Sequence, residues 1–448
     1  MKQRNDSVSR RAFIRVAAAG GMAAGAVRVL AQSSPAAASP GRKPGQKSVA
    51  QLKCPPLGKV RIGFIGVGGR GSGLLGNLLE VEGVEIKAVC DLVPERVQAA
   101  QRRVAARGQP EPAGYANGER DFENLCRRED VDVVYIATPW DWHVPMAVCA
   151  MKHGKHAAVE VPAAMTLAEC WELVDTAEQT QRHCLMLENC CYGETELLVL
   201  SLVRQGVLGE LTHGEAGYLH EFAGLPPKTP KPDDWRWRFM AKLNGNLYPT
   251  HGLGPVAQYM GIHRGDKFES LVSMSSLERG ISRRCAALPA DDPRRQEKYA
   301  CGDINTSLIK TALGRTIMVQ YSTVQPRPYS RINMICGTGG IFCDYPPRLH
   351  LAGQAGEWET DLTTYHDQYG HPLWKTLRER AAKPGGHGGM DYVMNWRFIQ
   401  CLREGLALDM SVYDAAAWSS LVPLSIASVA QGSQPVAVPD FTRGEWRG

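Results

Sequence analysis

The chain has 448 residues, of which 44% are hydrophobic and 22% are charged, as expected for a globular protein long enough to form two domains. Its formal net charge of +5 comes from the first 31 residues, which carry six Lys and Arg against one acidic residue. The rest is formally neutral, so neither a nucleic acid nor an anionic membrane is expected as a partner.

Residues 1–31 resemble a twin-arginine export signal. Arg10-Arg11 precede a weakly apolar stretch over residues 16–27, and a small residue at Ala31 offers a cleavage site. That stretch is too short to span a bilayer. No Cys directly follows it, so a lipoprotein anchor is not expected. We therefore expect a periplasmic protein exported in its folded state; a cytosolic protein with a basic tail is the alternative. Residues 32–58, rich in Ser, Pro, Ala and Gly, predict a flexible linker.

The strongest motif of the chain follows this linker. A strand predicted at Val60–Ile65 runs into Gly66-x-Gly68-x-x-Gly71 and then into a helix over residues 74–81. In a dinucleotide-binding unit the first glycine permits a tight turn, and the second lets a pyrophosphate approach the backbone. The third lets the helix pack close to its strand. Free N–H groups at the helix N-terminus face the phosphates.

A second predicted strand, over residues 84–89, ends at Asp91. A carboxylate at this point accepts hydrogen bonds from ribose hydroxyls, which favours NAD over NADP. Strand, glycines, helix, strand and acid thus occur in the order of an NAD site. The alternative is a glycine-rich turn without a ligand.

Strands and helices continue to alternate up to residue 190, which predicts an α/β Rossmann domain over residues 59–190 with a doubly wound parallel sheet. The predicted helices lie at 94–106, 121–128, 145–153 and 167–182, and the further strands at 131–137, 156–161 and 184–187. Ligands of such sheets bind at the carboxyl ends of the strands. Polar and aromatic side chains at these ends should therefore lie together: Asp91, Trp140, His143, Glu160 and Asn189.

Residues 191–448 show a different pattern. Several segments alternate apolar with polar residues, which predicts an α+β substrate-binding domain with a large open, mostly antiparallel sheet. The predicted strands lie at 214–220, 271–276, 303–312, 316–324 and 331–337, and the helices at 197–205, 390–405 and 413–429. The 13 cysteines are odd in number and scattered, so their spacing predicts neither a disulfide framework nor a zinc site, and no metal is expected.

A Rossmann domain followed by an open sheet resembles the Gfo/Idh/MocA oxidoreductases. Three segments narrow the resemblance: residues 151–164 with Val159-Glu-Val-Pro-Ala-Ala164, Leu187-Glu-Asn-Cys-Cys-Tyr192, and Gly245-Asn-Leu-Tyr-Pro-Thr-His-Gly-Leu-Gly-Pro255. With residues 327–332 and 387–391 they are similar to glycoside hydrolase family 109, the NAD-dependent α-N-acetylgalactosaminidases. The match covers about residues 59–400.

The resemblance implies a glycosidase that uses NAD without consuming it. Oxidation at C3 of N-acetylgalactosamine acidifies the C2 proton, a base removes it, and the glycosidic oxygen leaves by elimination. Water then adds and the hydride returns to C3, with retention at C1. This chemistry needs a base, an acid and a tightly held nicotinamide instead of a pair of carboxylates.

Two departures from the wider oxidoreductase family agree with this reading. Val161 stands where sugar dehydrogenases carry the lysine of Glu-Lys-Pro, and Thr250-His-Gly-Leu-Gly254 replaces their Asp-x-Gly-x-His. Neither usual dehydrogenase group is present, which argues against net oxidation of a sugar.

The motif and the resemblance together assign residues to NAD: Gly66, Gly68, Gly69, Arg70, Gly71, Asp91, Trp140, His143, Glu160, Val161, Asn189 and Tyr248. The resemblance assigns others to the sugar: Tyr218, Arg238, Tyr248, Pro249, Thr250, His251 and Tyr329. We expect His251 to be the main proton-transfer residue because imidazole titrates near neutral pH. Tyr248 would assist, and Tyr192 is a further catalytic candidate.

These assignments have structural alternatives. Trp140, Trp142 and His143 could form a strand-end cluster that packs on the second domain. His251 could bond backbone carbonyls in a Gly- and Pro-rich loop, Tyr192 could belong to the core, and Glu160 could cap a helix. For the whole protein the alternatives are an exported sugar dehydrogenase or epimerase that releases NADH, and a non-catalytic sugar-binding relative. The expected partners are a glycan or small glycoside and, through the open sheet, further copies of the chain.

Overall fold

The computed structural model describes residues 39–221, 223–229, 234–383 and 386–447. The predicted export signal at residues 1–31 lies outside these ranges. Within them, no helix combines the length and the apolar character that crossing a membrane requires.

The first sheet is built from six parallel strands of the described chain, in the order β3-β2-β1-β4-β5-β6. The strands are β1 (Val60–Ile65), β2 (Val84–Cys90), β3 (Ala113–Tyr115), β4 (Val133–Ile136), β5 (His156–Val159) and β6 (Cys184–Met186). The central strand β4 is buried along its whole length, because helices cover both faces of a doubly wound sheet. The predicted fold class of this domain is confirmed.

The helices beside this sheet are α1 (Gly69–Leu78), α2 (Pro94–Ala105), α3 (Phe122–Cys126), α4 (Trp140–Lys152) and α5 (Leu167–Thr180). Helix α4 begins at Trp140 and not at Pro145, where the sequence predicted its start. A proline is common at the first position of a helix, but Pro145 lies inside this one. Trp140 and His143 therefore occupy the beginning of a helix at the carboxyl end of β4.

The second sheet contains eight strands of the described chain, in the order β13-β12-β11-β7-β10-β9-β8-β14. The strands are β7 (Leu211–Leu219), β8 (Phe268–Ser275), β9 (Asn305–Thr311), β10 (Thr316–Ser322), β11 (Met334–Gly337), β12 (Gly340–Cys343), β13 (Arg348–Leu351) and β14 (Val436–Ala437). Strands β7 and β10 pair in parallel, and the other neighbours are antiparallel. The predicted open, mostly antiparallel sheet is confirmed.

The remaining helices are α6 (Glu194–Arg204), α7 (Arg236–Lys242), α8 (Thr250–Tyr259), α9 (Gly280–Ala286), α10 (Thr363–Tyr369), α11 (Pro372–Ala382), α12 (Met390–Glu404), α13 (Val412–Ser419) and α14 (Leu421–Ala430). The single helix predicted over residues 413–429 is wrong, since two helices occupy this stretch. Pro423 explains the break, because proline has no N–H and its ring clashes with the carbonyl of residue 419 in a continuous helix.

Part of the C-terminal half packs on the first sheet. Helix α12 lies against α1 and β1, and α13 lies against α5 and β6. The Tyr135 hydroxyl on β4 donates to Asn395 of α12 at 3.2 Å. The predicted boundary near residue 190 marks where the chain leaves the first sheet, but residues 390–419 return to it.

The segment over residues 39–58 is packed, so the prediction of a flexible linker is wrong for this described part. Arg42 forms an ion pair at 3.1 Å with Glu178, whose side chain is fully buried. Val49 is 4% exposed, and its N–H donates to the Tyr413 hydroxyl at 3.2 Å. Composition alone does not show these contacts, because the partners of this segment lie far away in the sequence.

Candidate active site

A tight glycine turn joins β1 to α1. Gly66 has φ = +83°, and a Cβ there would overlap the carbonyl of Ala137. A Cβ at Gly71 would overlap the carbonyl oxygen of Gly66, so α1 can lie this close to β1 only without a side chain at that position. Gly68 precedes the helix, and a Cβ on Gly69 would meet nothing. The geometry agrees with the turn and packing roles predicted for Gly66 and Gly71.

The turn opens on a cleft of about 480 Å³ at the carboxyl ends of β1, β2, β4 and β5, a volume typical of a small-molecule site. The predicted cofactor residues that line it are Gly66, Gly68, Gly69, Arg70, Asp91, Trp140, His143, Glu160 and Val161. Gly71, Asn189 and Tyr248 are outside this lining. A helix N-terminus, a carboxylate and an apolar wall in one cleft fit the pyrophosphate, ribose and rings of NAD.

Asp91 both shapes the turn and faces the cleft. Its carboxylate accepts hydrogen bonds from the N–H groups of Val67 at 2.9 Å and Val93 at 3.0 Å. One carboxylate oxygen receives each bond, and each oxygen has a second lone pair. Asp91 can therefore hold the backbone and accept from a ribose hydroxyl together.

Trp140 joins the cleft to the second domain. Its indole N–H donates to the carbonyl of Val161 at 3.2 Å, and its ring centroid lies 4.8 Å from Trp235 and 5.9 Å from Tyr248. Trp140 lines the cleft and also packs against residues of the second domain, so its position is compatible with both roles considered for it. Tyr248 thus lies immediately behind the cleft wall.

His143 lines the cleft but is engaged by the backbone. Its two ring nitrogens lie 2.8 Å from the carbonyl oxygen of Pro162 and 2.9 Å from that of Thr138. Burial lowers the pKa of this imidazole. These contacts give His143 a structural role that differs from both roles considered for it, because it holds together the chain segments after β4 and β5.

Arg70, Glu160 and Asn189 meet in one polar network. The Nε of Arg70 donates to Glu160 at 2.6 Å, and its terminal nitrogens donate to Asp391 of α12 at 2.7 and 2.9 Å. The Asn189 amide donates to the same carboxylate at 2.7 Å. Burial opposes ionisation of Asp391, but hydrogen bonds from His387 and Arg70 outweigh it and lower the pKa. This network fixes the cleft edge against the C-terminal half.

His251 lies in the first turn of α8, not in a loop as the sequence indicated. Its Nδ1 is 2.7 Å from a carboxylate oxygen of Glu188, whose side chain is fully buried. Its Nε2 is 3.4 Å from the hydroxyl of Tyr248. A carboxylate, rather than a backbone carbonyl, therefore orients this imidazole.

The charges around His251 prepare it for proton transfer. Burial would raise the pKa of Glu188, but His251 lowers it below its usual value, so Glu188 is a carboxylate. Burial raises the pKa of Tyr248 well above 10 despite the opposing charge of Arg236, so this phenol stays neutral. An ionised partner at Nδ1 favours the tautomer with its proton on Nδ1. The unprotonated Nε2 then faces the Tyr248 hydroxyl at 3.4 Å.

Helix α8 packs tightly on β7 because of its glycines. A Cβ on Gly252 would overlap the backbone of Gly217 in β7. Pro249 is buried and Thr250 is 0% exposed. Pro249 and Thr250, both predicted to bind the sugar, instead support the start of the helix. His251 is the predicted sugar residue of α8 whose side chain lies beside the rings of Tyr218 and Tyr248.

His251 belongs to a cluster of five aromatic rings, which we call the aromatic cluster: Tyr218, His220, Tyr248, His251 and Tyr329. The ring of Tyr218 lies 4.6 Å from Tyr248, 5.6 Å from His251 and 6.1 Å from Tyr329. Tyr329 is 40% exposed and forms the outer end of the cluster. Aromatic faces beside an imidazole suit the apolar face of a sugar ring.

The prediction for Arg238 is not supported. Its guanidinium forms a solvent-exposed ion pair with Asp141 at 3.2 Å. Arg236 is the arginine of this segment at the site, with its guanidinium carbon 5.3 Å from the Tyr248 ring centroid and 5.7 Å from that of Trp140. Residues two apart on a helix point in different directions, so an error of two positions exchanges a half-buried arginine for an exposed one.

Tyr192 does not join the cluster. It is 4% exposed, its hydroxyl donates to Asp409 at 3.3 Å, and its carbonyl accepts from Trp374 at 2.8 Å. These contacts correspond to the core alternative considered for this residue.

Sequence reasoning missed Glu188 as a site residue. It stands directly before Asn189 at the carboxyl end of β6, and this position was itself the signal that could have identified it. An acid in an otherwise apolar segment has to be paired when it is buried.

Two family models match the chain. "Glycosyl hydrolase 109, C-terminal domain" matches residues 192–448, and "Oxidoreductase family, NAD-binding Rossmann fold" matches residues 60–188. A glycosyl hydrolase family 109 protein of Solibacter usitatus is 50% identical over 445 residues, covering 99% of both chains. One from Shewanella amazonensis is 50% identical over 446 residues, covering 98% of this chain and 97% of the relative.

Solved structures share the fold at low identity. Levoglucosan dehydrogenase in complex with NADH superposes with a TM-score of 0.65 at 21% identity, covering 85% of this chain and 100% of that one. Scyllo-inositol dehydrogenase from Lactobacillus casei, with bound NAD(H) and scyllo-inositol, gives a TM-score of 0.61 at 14% identity, covering 85% and 99%. These two structures therefore share the fold of this chain.

Proposed function

The chain belongs to glycosyl hydrolase family 109 and has an NAD-binding Rossmann domain, and from this premise we propose that it hydrolyses terminal, α-linked N-acetylgalactosamine from glycans. The observation that carries the proposal is the Glu188–His251–Tyr248 chain beside the nucleotide cleft, with contacts of 2.7 and 3.4 Å.

NAD, when bound, would supply transient oxidation at C3 of the sugar and the return of the hydride, so that it is not consumed. The cleft and the aromatic cluster are adjacent, because Trp140 lines the former and contacts Tyr248 of the latter. A sugar stacked in the cluster would thus lie next to the nucleotide.

His251 is the group placed to take the proton from C2 of the oxidised sugar. Glu188 orients the imidazole, and a positioned base of this kind contributes about 10²–10⁴-fold to rate. Tyr248 remains protonated and can donate a hydrogen bond to the sugar hydroxyl or carbonyl at C3. Val161 lines the cleft, and its side chain has no group that could transfer a proton. This disfavours a lysine-assisted dehydrogenase.

The arrangement differs from that of a two-carboxylate glycosidase. Such enzymes place two carboxyl groups on either side of the scissile bond, about 5–10 Å apart. Glu188 is fully buried behind His251 and cannot flank a substrate. An elimination that uses a histidine base needs no such pair.

The test uses purified protein without added nucleotide. We expect NAD to co-purify, p-nitrophenyl α-N-acetylgalactosaminide to release nitrophenol, and the released sugar to carry deuterium at C2 when the reaction runs in D₂O. Cleavage without deuterium at C2 would contradict elimination. Bound NAD without cleavage, but with NADH absorbance growing on a free sugar, would instead identify a sugar dehydrogenase.

Export is part of the proposal. Arg10-Arg11 and the apolar stretch after them support twin-arginine transport to the periplasm. We expect the full chain to fractionate with the periplasm and an Arg10→Lys/Arg11→Lys variant to stay in the cytosol. Equal fractionation of both proteins would contradict this.

Self-association is also proposed. Met274 on β8 and Leu308 on β9 are 64% and 45% exposed on the open sheet, and a second copy would cover such apolar side chains. Light scattering should show an oligomer that Leu308→Asp dissociates. A monomeric wild type would contradict this proposal.

A further inference from the structure

A buried ion pair lies behind the outer end of the aromatic cluster. Glu196, in the first turn of α6, is 3% exposed, and Arg331 is 7% exposed. The carboxylate and the guanidinium are in direct contact. Burying two charges is unfavourable unless their geometry is good and further hydrogen bonds satisfy them.

The guanidinium also reaches Tyr329. One terminal nitrogen of Arg331 donates to the Tyr329 hydroxyl at 3.1 Å. The guanidinium carbon lies 5.7 Å from the Tyr329 ring and 5.6 Å from the Tyr345 ring. Arg331 is therefore held by Glu196 and in turn holds an exposed residue of the cluster.

Gly193 provides the room for this arrangement. Its backbone, with φ = −63° and ψ = 150°, is one that any residue adopts, so the glycine is not required for conformation. A Cβ at this position would overlap the carboxylate of Glu196. Since that carboxylate is bound to Arg331, it has little freedom to move away.

We infer that Glu196 and Arg331 are positioning residues for substrate, which act by aiming the Tyr329 hydroxyl into the sugar site. The hydroxyl accepts from the guanidinium and keeps its own proton, which it donates to an acceptor oxygen of the bound sugar. The cationic partner strengthens that donor. The inference rests on the proposed function only in taking a sugar as the ligand.

The test is a double-mutant cycle with Arg331→Lys and Tyr329→Phe. Each single variant should raise KM for the nitrophenyl glycoside about tenfold, with kcat within about twofold and bound NAD unchanged. If Arg331 acts through the hydroxyl, the double variant is no worse than the poorer single one. Gly193→Ala should raise KM in the same direction by less.

The control is Arg264→Lys, which alters an arginine that pairs with the buried carboxylate of Asp414 at 2.9 Å, outside the aromatic cluster. It should lower thermal stability and leave KM unchanged. An unchanged KM in Arg331→Lys, or effects that add in the double variant, would overturn the inference.

A crystal structure of the Arg331→Lys variant gives an independent readout. We expect the Tyr329 side chain to leave its wild-type position, whereas in Arg264→Lys it stays. Tyr329 unmoved in Arg331→Lys would refute the positioning role, even if no glycoside is cleaved. Lack of cleavage by the wild type would count against the proposed function alone.

Discussion

The nucleotide cleft and the aromatic cluster are neighbours built by different means. The cleft is set by backbone: Gly66 and Gly71 permit one turn, and Asp91 holds that turn from the end of the next strand. The cluster is set by side chains from distant segments, as when Glu188 of the first domain orients His251 of the second. Loss of a single contact in the cluster should therefore impair catalysis. Loss of a single contact in the cleft should impair cofactor binding.

The substitution with the largest expected effect is at His251, and it should impair catalysis while leaving cofactor binding intact. His251→Gln keeps a hydrogen-bonding side chain beside Glu188 but removes the titratable base, so kcat should fall by about 10²–10⁴-fold. NAD should still co-purify in full, because the residue lies outside the cleft lining. His213→Gln on β7 serves as the control and should keep normal kcat. Activity retained by His251→Gln would remove this residue from the mechanism.

A second substitution addresses the cleft alone. In Gly71→Ala the new methyl group would overlap the carbonyl oxygen of Gly66, so the turn has to open and NAD retention should fall at least tenfold. Gly73→Ala is the matched control in the same helix, since its Cβ would meet nothing. Alanine there should stabilise α1 slightly. Equal NAD content in the two variants would contradict the backbone account.

Stability at low pH should report on both regions together. Glu188 and Asp391 have folded pKa values below the ordinary 4.5 and 3.8, because their hydrogen-bond and charge partners outweigh burial. The unfolded chain then binds more protons on acidification, so the free energy of unfolding is highest above about pH 5 and falls below it. Urea unfolding from pH 7 to pH 4 measures this.

Substitution of one carboxyl group at a time measures how much each region contributes to this loss of stability in acid. Glu188→Gln and Asp391→Asn should each flatten the pH dependence, because one depressed carboxyl is removed. About 1.4 kcal/mol is expected for each unit of pKa depression that is lost. Stability that rises on acidification would show that the unfavourable burial of these carboxylates dominates.

The sequence predicted the nucleotide cleft better than it predicted the aromatic cluster. The strand–glycine–helix unit and Asp91 are local, so spacing alone placed them, and the burial of β1 and β4 matches their apolar runs. Spacing does not show that the segment after β6 lies against α8, so the partner of His251 could not be predicted. The glycines of α8 predict a loop, since the close packing of Gly252 on Gly217 is visible only in the fold.

The two arginines of α7 show this limit most directly. Arg236→Ala removes a cation from the rings of Trp140 and Tyr248, and KM should rise several-fold. Arg238→Ala breaks an exposed pair with Asp141, which contributes about 0–1 kcal/mol, so KM should change less than twofold. Steady-state kinetics on both variants decides the matter. The opposite ranking would restore the assignment of Arg238 to the sugar site.

The smallest expected effect concerns Tyr192. Its hydroxyl bonds Asp409, which is itself held by Arg397 at 2.8 and 2.9 Å, and its ring is buried. Tyr192→Phe removes one hydrogen bond and should lower the free energy of unfolding by about 1 kcal/mol, with kcat unchanged. Tyr248→Phe is the matched comparison: it also loses one hydroxyl, but this one faces His251, so its loss should appear in kcat rather than in unfolding. If the two variants exchanged these effects, Tyr192 rather than Tyr248 would be the phenol that acts with His251.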